Sequence, residues 1–412
     1  MFNLSNSGPT VGLVLFVAVV SACGGGAAPG PANSPPVPTA SNVHAVSVDA
    51  GPADSGYNVN RLYTTVKVCQ PDTNRCQTID HVLVDTGSTG LRLLSSSLGS
   101  SVSLIRLIAG GGHPLLNCVQ FLDATYAWGP VAAADVVLGG ETALGVPIHI
   151  IADHEFDTAP VACAGGSTAL TDAKTLGANG ILGMGLFRED CGSGCVVNVH
   201  NGFYYTCTDA SCTATQGATA NLSQQLKNPV SRFASNNNGL LIELPVVSAS
   251  GASSLTGSLI FGIGTQPNNQ LASSVALRSD AWGYVRTLLA GTYQPNGFSN
   301  SFFDTGSNGV FFDSSTIPTC AQSKEFYCPV STMVLSATLV GTNAATTAIM
   351  FPINDATVLF TTASRAAFAG LAGPVGEPST FDWGLPFFFG RRVAIGIEGQ
   401  SSPLGMGPYY AF

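Results

Sequence analysis

Two copies of one tetrapeptide, Asp-Thr-Gly-Ser, constrain this chain more than any other feature of its sequence. They occupy residues 85–88 and 304–307, and each lies between two apolar runs of strand length. Two carboxyl groups held close together cannot both ionise cheaply, so such a pair shares one proton and titrates as a unit. One member can then take a proton from water while the other donates one to a carbonyl oxygen. The duplication predicts that Asp85 and Asp304 meet around a single water molecule.

The other residues of the two tetrapeptides suit this arrangement. Gly87 and Gly306 let the backbone bend closely behind each carboxylate. The hydroxyl groups are predicted to brace the two loops and to hydrogen-bond the carboxylates. The first role falls to Thr86 and Thr305, and the second to Ser88 and Ser307. A single Asp-Thr-Gly triplet is typical of an ordinary surface turn. Two copies in matching apolar surroundings favour a paired site.

Each tetrapeptide is followed later in the chain by an apolar segment rich in glycine. Asn-Gly-Ile-Leu-Gly-Met-Gly occupies residues 179–185, and Trp-Gly-Leu-Pro-Phe-Phe-Phe-Gly occupies residues 383–390. Between them lie Pro-Val-Ser-Arg-Phe at 229–233 and Gly-Ser-Leu-Ile-Phe-Gly at 257–262. In this order the segments resemble those of the pepsin-like aspartic proteases, in which a later segment of the same lobe backs each catalytic loop. The resemblance covers roughly residues 57–412.

The resemblance implies an all-β, bilobal fold of the pepsin type, with two related lobes and a central cleft. We expect an N-terminal lobe over residues 57–270 and a C-terminal lobe over residues 271–412. It also implies an aspartic endopeptidase that acts as a monomer on a peptide or protein substrate in the inter-lobe cleft. Asp85 and Asp304 would be its catalytic residues, and its chemistry calls for no cofactor and no metal.

The chain departs from the family pattern at two places. The family closes a β-hairpin flap over its cleft with a tyrosine near the tip, in a Tyr-Gly-Thr-Gly-like context. Here the corresponding stretch contains Tyr126 and Trp128, which are candidates for covering a substrate. Packing at the base of the hairpin is the alternative for both aromatic rings. In the second backing segment, Asp382 precedes the tryptophan, where the family prefers an apolar residue.

The beginning of the chain predicts export and a lipid anchor. An apolar run at residues 11–20 leads into Val-Ser-Ala-Cys, a lipobox-like sequence whose Cys23 would receive a diacylglyceryl group. The run is too short to span a bilayer. Residues 1–22 are therefore expected to be a cleaved lipoprotein signal peptide, although no lysine or arginine precedes the apolar run. Residues 23–56 would form a lipidated, flexible tether rich in glycine, alanine and proline.

This leader, the two tetrapeptides and the ending Leu-Pro-Phe-Phe-Phe-Gly-Arg also resemble a bacterial family catalogued only as a domain of unknown function. The resemblance by itself implies no activity. The expected location is the bacterial cell envelope, on the extracytoplasmic side, with the protein held to a membrane through its N-terminal lipid.

Cysteine usage agrees with an oxidising compartment. Of the 11 cysteines, ten remain when Cys23 is set aside, an even number that suits disulfides. The sequence leaves the connectivity of these cysteines open. The pairs that we expect are Cys69–Cys76, Cys118–Cys163, Cys191–Cys195, Cys207–Cys212 and Cys320–Cys328. The alternative is a zinc site made by the four cysteines between residues 191 and 212, although their spacings differ from those common in zinc sites.

Charge and composition exclude other classes of protein. The formal net charge of −9 leaves no basic stripe to neutralise phosphates, so no nucleic-acid partner is expected. Turn residues recur at short intervals, which favours short strands over long helices. One acidic and histidine-rich cluster fits no zinc-binding helix motif and is predicted to be a solvated loop. Its members are His149, Asp153, His154, Glu155 and Asp157.

Three hypotheses about function follow. The first is the aspartic endopeptidase. The second is a catalytically idle, pepsin-like envelope lipoprotein that binds peptide, glycan or a partner protein in its cleft. The third is a structural envelope lipoprotein in which the two tetrapeptides are only turns. The relative position of Asp85 and Asp304 separates the third from the others, and an activity assay separates the first two.

Overall fold

The computed structural model describes residues 40–209, 212–271, 274–291, 296–362 and 364–412. The predicted signal peptide, the predicted lipidation site Cys23 and the part of the predicted tether up to residue 39 lie outside the described residues. Within these ranges no helix combines the length and the apolar character needed to cross a membrane.

The described chain consists mainly of short strands. Its first fifteen strands are β1 (Val43–Val48), β2 (Leu62–Cys69), β3 (Cys76–Asp85), β4 (Thr89–Leu94), β5 (Ile105–Arg106), β6 (Leu115–Gln120), β7 (Thr125–Leu138), β8 (Glu141–Ile151), β9 (Thr168–Ala169), β10 (Gly180–Met184), β11 (Tyr204–Cys207), β12 (Thr215–Gly217), β13 (Gly239–Glu243), β14 (Leu255–Phe261) and β15 (Ala276–Arg278).

The remaining strands and the short helices follow the same pattern. The strands are β16 (Val285–Leu289), β17 (Phe298–Asp304), β18 (Val310–Phe312), β19 (Met333–Val340), β20 (Thr346–Ile353), β21 (Ala372–Gly373), β22 (Thr380–Gly384), β23 (Arg392–Gly396), β24 (Ser401–Ser402), β25 (Gly405–Met406) and β26 (Tyr409–Ala411). The α-helices are α1 (Val161–Ala164), α2 (Ala173–Leu176), α3 (Ser193–Val197) and α4 (Ala356–Phe360), and 3-10 turns lie at Ser95–Ser97, Pro229–Arg232, Pro267–Asn269 and Leu385–Phe388.

Two large sheets organise the part of the chain that the structure describes. The first contains β1 to β15 together with β23 and β26, and the second contains β16 to β22. The last part of the chain therefore returns to the first sheet, where β23 pairs with β13 and β26 pairs with both β15 and β23. This exchange joins the two halves through a shared sheet. The lobe boundary between residues 270 and 271 stays a prediction.

The same local topology is built twice, once around each Asp-Thr-Gly-Ser loop. In the first half β10 runs parallel to β3 and antiparallel to β4, with Gly183 opposite Asp85. In the second half β22 runs parallel to β17 and antiparallel to β18, with Gly384 opposite Asp304. The first backing segment identified in the sequence contains β10, the central strand of one three-stranded unit. The second segment begins at the end of β22, the central strand of the equivalent unit, and continues into the 3-10 turn at Leu385–Phe388.

Glycine is required where each backing strand passes its loop. A Cβ atom added at Gly183 would lie 2.7 Å from the backbone of Thr89, and one added at Gly384 would lie 2.0 Å from the carbonyl oxygen of Gly309. Strands covered on both sides carry continuous apolar sequences rather than an alternating pattern. Both β10 and β22 are buried along their whole length. β10 follows this rule, whereas β22 departs from it at Thr380 and Asp382.

Candidate active site

The two predicted loops hold their aspartates by the same set of hydrogen bonds. The backbone N–H of Gly87 donates to Asp85 Oδ1 at 2.8 Å, and the Ser88 hydroxyl donates to Oδ2 at 2.6 Å. In the second loop the corresponding distances are 2.7 Å from Gly306 N to Asp304 Oδ1 and 2.9 Å from the Ser307 hydroxyl to Oδ2. Each carboxyl group is therefore oriented by its own loop.

The loops bring the two carboxyl groups into contact. The N–H of Gly87 reaches Asp304 Oδ1 at 3.2 Å in addition to its own Asp85. A Cβ atom added at Gly87 would lie 2.7 Å from Asp304 Cγ, and one added at Gly306 would lie 2.9 Å from Asp85 Cγ. Each glycine thus leaves the space that the opposite carboxyl group occupies.

The threonines lock the two loops to each other. Thr86 Oγ1 donates to the carbonyl oxygen of Phe303 at 2.8 Å and accepts from Thr305 N at 3.0 Å. Thr305 Oγ1 donates to the carbonyl oxygen of Val84 at 2.7 Å and accepts from Thr86 N at 3.2 Å. All four bonds are buried, so the relative position of the loops does not depend on solvent-exposed contacts.

Burial and proximity disturb the titration of the pair. Burial, followed by the charge of Asp304 and a hydrogen bond with it, raises the pKa of Asp85 to about 8. The bonds from Ser88 and Gly87 act in the opposite direction but do not cancel these effects. The two carboxyl groups titrate together. The raised pKa therefore means that the pair as a whole holds one proton at neutral pH.

The pair opens into a cleft of about 360 Å³. Its polar floor is formed by the two loops, and its walls are largely aromatic. The apolar wall residues include Phe121, Leu122, Phe187, Phe203, Trp282, Tyr284 and Phe302. Trp282 is 78% exposed and lies at the rim. A cleft of this size and lining is typical of a ligand-binding site.

Of the two alternatives for Tyr126 and Trp128, the structure favours packing at the base of the hairpin. Strands β6 and β7 form a hairpin, with Gln120 opposite Tyr126 and Cys118 opposite Trp128. Trp128 points away from the cleft because it is buried against Tyr205, with ring centroids 5.5 Å apart. Neither Tyr126 nor Trp128 is among the cleft-lining residues. The residues of this hairpin that line the cleft are nearer its tip: Phe121 and Leu122.

A buried ion pair beside the first loop was not predicted from the sequence. Arg92, in β4, lies 3.7 Å from Asp190, and their side chains are only 1% and 3% exposed. Asp190 also accepts hydrogen bonds from Tyr204 and Asn117. Burial raises the pKa of Asp190 to about 6 in spite of the nearby Arg92. Both members of the pair line the cleft. Because they lie far apart in the sequence, no local pattern predicted that they would pair.

The structure places the members of the histidine and acidic cluster in different surroundings. His149 is fully buried in β8, where its Nδ1 lies 3.2 Å from Arg92. The solvated-loop expectation is therefore wrong for this residue, because the second half of β8, from Val146 to Ile151, is buried without interruption. Asp153 and Glu155 instead form ion pairs with Arg106 on the other side of the strand end.

A third carboxyl group lies close to the pair. Asp382, the residue that departs from the family pattern, is 3% exposed in β22. Its Oδ1 is buried without a hydrogen-bond partner in the described structure. Burial, with a contribution from Asp304, raises the pKa of Asp382 well above its usual value.

The structure contains the five cysteine pairs that the sequence suggested. They are Cys69–Cys76, Cys118–Cys163, Cys191–Cys195, Cys207–Cys212 and Cys320–Cys328. The four cysteines of the alternative zinc site are thus bonded to each other in two pairs, which removes the thiolates that zinc requires. Five disulfides indicate an extracytoplasmic protein.

Duplicated loop-and-strand units around a central cleft define an all-β fold of the pepsin type, and this prediction of the fold class is confirmed. The chain belongs to the family described as a protein of unknown function (DUF3443), whose model matches residues 38–412. The sequence-based assignment to a family without known function is also confirmed.

Solved structures that are similar to this one include an aspartic proteinase and a globulin. An aspartic proteinase from Irpex lacteus is 14% identical, with 89% of this chain and 96% of that chain covered and a TM-score of 0.48. Basic 7S globulin from soybean is 10% identical, with coverages of 90% and 94% and a TM-score of 0.44. None of the curated proteins matches this chain. The argument for function therefore depends on the geometry of the site.

Proposed function

We propose that this protein is an extracytoplasmic, lipid-anchored aspartic endopeptidase. The observation that carries the proposal is the single N–H of Gly87, which lies within hydrogen-bond distance of Oδ1 of both Asp85 and Asp304. Two carboxyl oxygens that share one donor lie close enough to bind one water molecule between them. The raised pKa of Asp85 supports the one proton that the chemistry needs.

The reaction follows from a singly protonated pair. The ionised carboxylate takes a proton from the bound water as its oxygen attacks the peptide carbonyl carbon. The protonated carboxyl donates its proton to the carbonyl oxygen, which stabilises the tetrahedral intermediate. Breaking the C–N bond then moves a proton to the leaving amine and returns the carbonyl, so the pair again holds one proton. The hydrogen bonds from Ser88 and Ser307 keep both carboxyl groups in position throughout.

The cleft supports a peptide as the substrate. Apolar walls around a polar floor suit a chain whose side chains are apolar next to the bond that is cut, with Trp282 and Phe302 offering aromatic surface. The disulfides support an oxidising location, and the lipobox-like sequence at Cys23 is the basis for proposing an anchor in the bacterial envelope. We propose that the protein acts as a monomer.

The second candidate function is peptide, glycan or protein binding without catalysis. The tip of the hairpin favours it, because Phe121 and Leu122 line the cleft where the resemblance implied a tyrosine hydroxyl. Intact hydrogen bonds around both Asp85 and Asp304 argue against it, since binding alone does not need a matched carboxyl pair. The contact between the two carboxyl groups likewise argues against a purely architectural role for the two turns.

Cleavage of a peptide library over roughly pH 3 to 8, the range in which such a pair can hold one proton, tests the proposal. We expect the wild type to cleave and to bind a pepstatin-type inhibitor. Asp85→Asn and Asp304→Asn should each abolish cleavage and weaken inhibitor binding while the protein stays folded by circular dichroism. Asp54→Asn, at an exposed position, is the matched control. A wild type that cleaves nothing at any pH in this range rejects the endopeptidase and favours the binding function.

A further inference from the structure

Both edges of the hairpin beside the cleft are hydrogen-bonded to other segments of the chain. The hairpin consists of β6 and β7, and its turn lies at the cleft. On the β6 edge, β11 pairs antiparallel with β6, and the N–H of Cys118 donates to the carbonyl oxygen of Phe203 at 2.8 Å. On the β7 edge, the parallel strand β9 pairs with β7, and the N–H of Thr168 donates to the carbonyl oxygen of Ala124 at 2.9 Å. The hydrogen bonds on the β7 edge therefore reach into the turn itself.

Both faces of the hairpin are packed as well. Cys118 and Trp128 lie opposite each other and belong to a buried apolar cluster that includes residues of β11. Val119 and Ala127, the next opposed pair, belong to a second cluster that includes residues of β3, β4 and β10. Successive residues of a strand point to opposite faces, so the two clusters cover opposite faces of the hairpin. The second cluster packs the hairpin against the strands that surround the Asp85 loop.

The base of the hairpin, where a lid would hinge, is in close contact with the end of β8. The N–H of Ala152 donates to the carbonyl oxygen of Trp128 at 3.0 Å. A Cβ atom added at Gly129 would lie 1.9 Å from the carbonyl oxygen of Ile150, so the two backbones touch where a side chain would otherwise separate them. A rotation of the hairpin about this point would break hydrogen bonds on both of its edges at once.

A disulfide ties the hairpin to the segment beside it. Cys118 of β6 is bonded to Cys163 of α1 across 45 residues of sequence. Two residues nearer the turn, Gln120 Nε2 donates to the carbonyl oxygen of Cys163 at 2.7 Å. Cys118 is 1% exposed and Cys163 is fully buried, so a dissolved thiol has no access to either sulfur while the protein is folded. The disulfide is therefore a permanent tie and not a switch.

The opposite side of the mouth of the cleft is held by its own hydrogen bonds. Asp280 Oδ1 accepts from the N–H of Trp282 at 2.8 Å and from the N–H of Tyr284 at 2.9 Å. Trp282 is 78% exposed, and Leu122 at the turn of the hairpin is 69% exposed. Both side chains line the cleft. The mouth of the cleft is therefore formed on both sides before any ligand binds.

We propose that the β6–β7 hairpin is a fixed wall of the cleft and that the Cys118–Cys163 disulfide locks it in place. A ligand then enters a cleft that is already formed, past Leu122 and Trp282, and no lid closes over it. The chain differs in this respect from the flap-closing pattern of the pepsin-like aspartic proteases. A preformed site avoids the cost of ordering a loop on binding. The mobility of the hairpin is independent of the chemistry, whereas the entry of a peptide ligand rests on the proposed endopeptidase function.

Hydrogen exchange of the free, full-length protein, followed by NMR, measures the mobility of the hairpin without any ligand. The amides of Cys118, Phe121 and Thr168 donate hydrogen bonds on the two edges and within the turn. We expect each of them to exchange at least about 100-fold more slowly than in an unfolded chain. Exchange of the Phe121 amide at the rate of an unfolded chain would overturn the proposal, because the turn would then be a mobile lid.

Removing the disulfide tests the lock. In the double variant Cys118→Ala and Cys163→Ala, we expect exchange of the Phe121 amide to rise about 10-fold or more, because the turn then opens locally. The matched control is Cys320→Ala with Cys328→Ala, which removes a disulfide of the second half. This control should leave the Phe121 exchange rate unchanged. Equal effects of the two double variants would overturn the lock, since they would describe a general loss of stability.

Gln120→Ala tests the same tie in a protein that keeps every disulfide. It removes only the hydrogen bond to the carbonyl oxygen of Cys163, and exchange of the Phe121 amide should rise about 3-fold, as expected for one exposed hydrogen bond. Wild-type exchange at Phe121 in this variant, together with wild-type exchange or failure to fold in the disulfide variant, would overturn the lock.

Ligand binding tests the consequence for the cleft. The association of a pepstatin-type inhibitor is followed by stopped-flow tryptophan fluorescence at increasing inhibitor concentrations. We expect a single phase whose rate rises linearly with concentration, because a fixed wall needs no opening step. A rate that reaches a plateau would overturn the fixed wall, since it reports a conformational step. An inhibitor that does not bind rejects the endopeptidase, and the exchange rates of the free protein then decide the fixed wall by themselves.

Discussion

Thr86 and Thr305 exchange backbone-to-hydroxyl hydrogen bonds across the two halves of the chain, although 219 residues separate them. Each threonine accepts from the N–H of the other and donates to a carbonyl oxygen of the opposite half. The reciprocal arrangement places two remote loops in one fixed relation. Because the loops cannot move independently, Asp85 and Asp304 behave as one group.

Removing either bridging hydroxyl should destabilise the protein. Thr86→Val keeps the shape of the side chain but leaves the carbonyl oxygen of Phe303 without its buried donor. We expect a loss of about 1–3 kcal/mol in the free energy of unfolding, measured by urea denaturation, and a smaller change for Thr86→Ser, which retains the hydroxyl. The double variant with Thr305→Val should lose less than the two single changes added together, because both sets of bonds hold the same two loops together and loops loosened by one change gain less from the bonds that remain. Equal stability of the valine and serine variants would contradict this.

The stability of the protein should fall as the pH rises. The pKa of Asp85 is raised from 3.8 to about 8, so between these values the folded state binds more protons than the unfolded state. Folding is therefore favoured at the acid end of this window, and the advantage is lost as the pH approaches 8, with a slope of at most about 1.4 kcal/mol per pH unit. This slope is measured by denaturing the wild type and Asp85→Asn at several pH values from 4 to 8 and comparing their free energies of unfolding. The two curves should diverge, and parallel curves would show that Asp85 titrates normally.

A methyl group at Gly87 should displace the opposite carboxyl group. Its Cβ would lie 2.7 Å from Asp304 Cγ, so Gly87→Ala must push the loops apart at a cost of about 1–3 kcal/mol. We expect loss of inhibitor binding and of any cleavage, together with a lower melting temperature. Gly110→Ala is the control, because no atom lies within 4 Å of the added Cβ, and it should change stability by less than about 0.5 kcal/mol. Normal inhibitor binding by Gly87→Ala would mean that the carboxyl groups are not in contact.

The buried pair of Arg92 and Asp190 should matter for stability far more than a surface ion pair. Arg92→Met leaves Asp190 buried without its cation, and we expect a loss of about 3–5 kcal/mol in guanidinium denaturation. Glu155→Gln breaks the ion pair with Arg106 at a position whose side chain is 55% exposed, and it should cost less than about 1 kcal/mol. Similar losses for the two variants would show that Asp190 is sufficiently stabilised by its other partners, Tyr204 and Asn117.

Local patterns in the sequence predicted those features that depend on neighbouring residues or on a repeated motif. Asp-Thr-Gly-Ser is recognisable because a carboxylate on a tight turn needs glycine and hydroxyl donors within three residues. The first backing strand is recognisable because a strand buried on both faces is mainly apolar, with glycine where it passes a loop. Most of the disulfide partners lie within eight residues of each other, so proximity along the chain was sufficient.

Other features depend on which surfaces meet, and sequence reasoning missed them or placed them wrongly. The hairpin residues that line the cleft are Phe121 and Leu122, because packing against Tyr205 turns Trp128 away. His149 looked like a solvated residue and is covered by the sheet. Arg92 and Asp190 are 98 positions apart in a chain with few charges, and no local pattern connects them.

The amino-acid sequence by itself determined that two matched acidic loops exist and that each has an apolar strand to support it, because those requirements are local and leave a repeated pattern. Only the tertiary structure decided what surrounds the two carboxyl groups: a cation beside the first loop, a third acid behind the second, and aromatic rings around the cleft. These neighbours come from strands far apart in the chain, and burial, which sets the strength of every charge among them, is a property of the assembled fold.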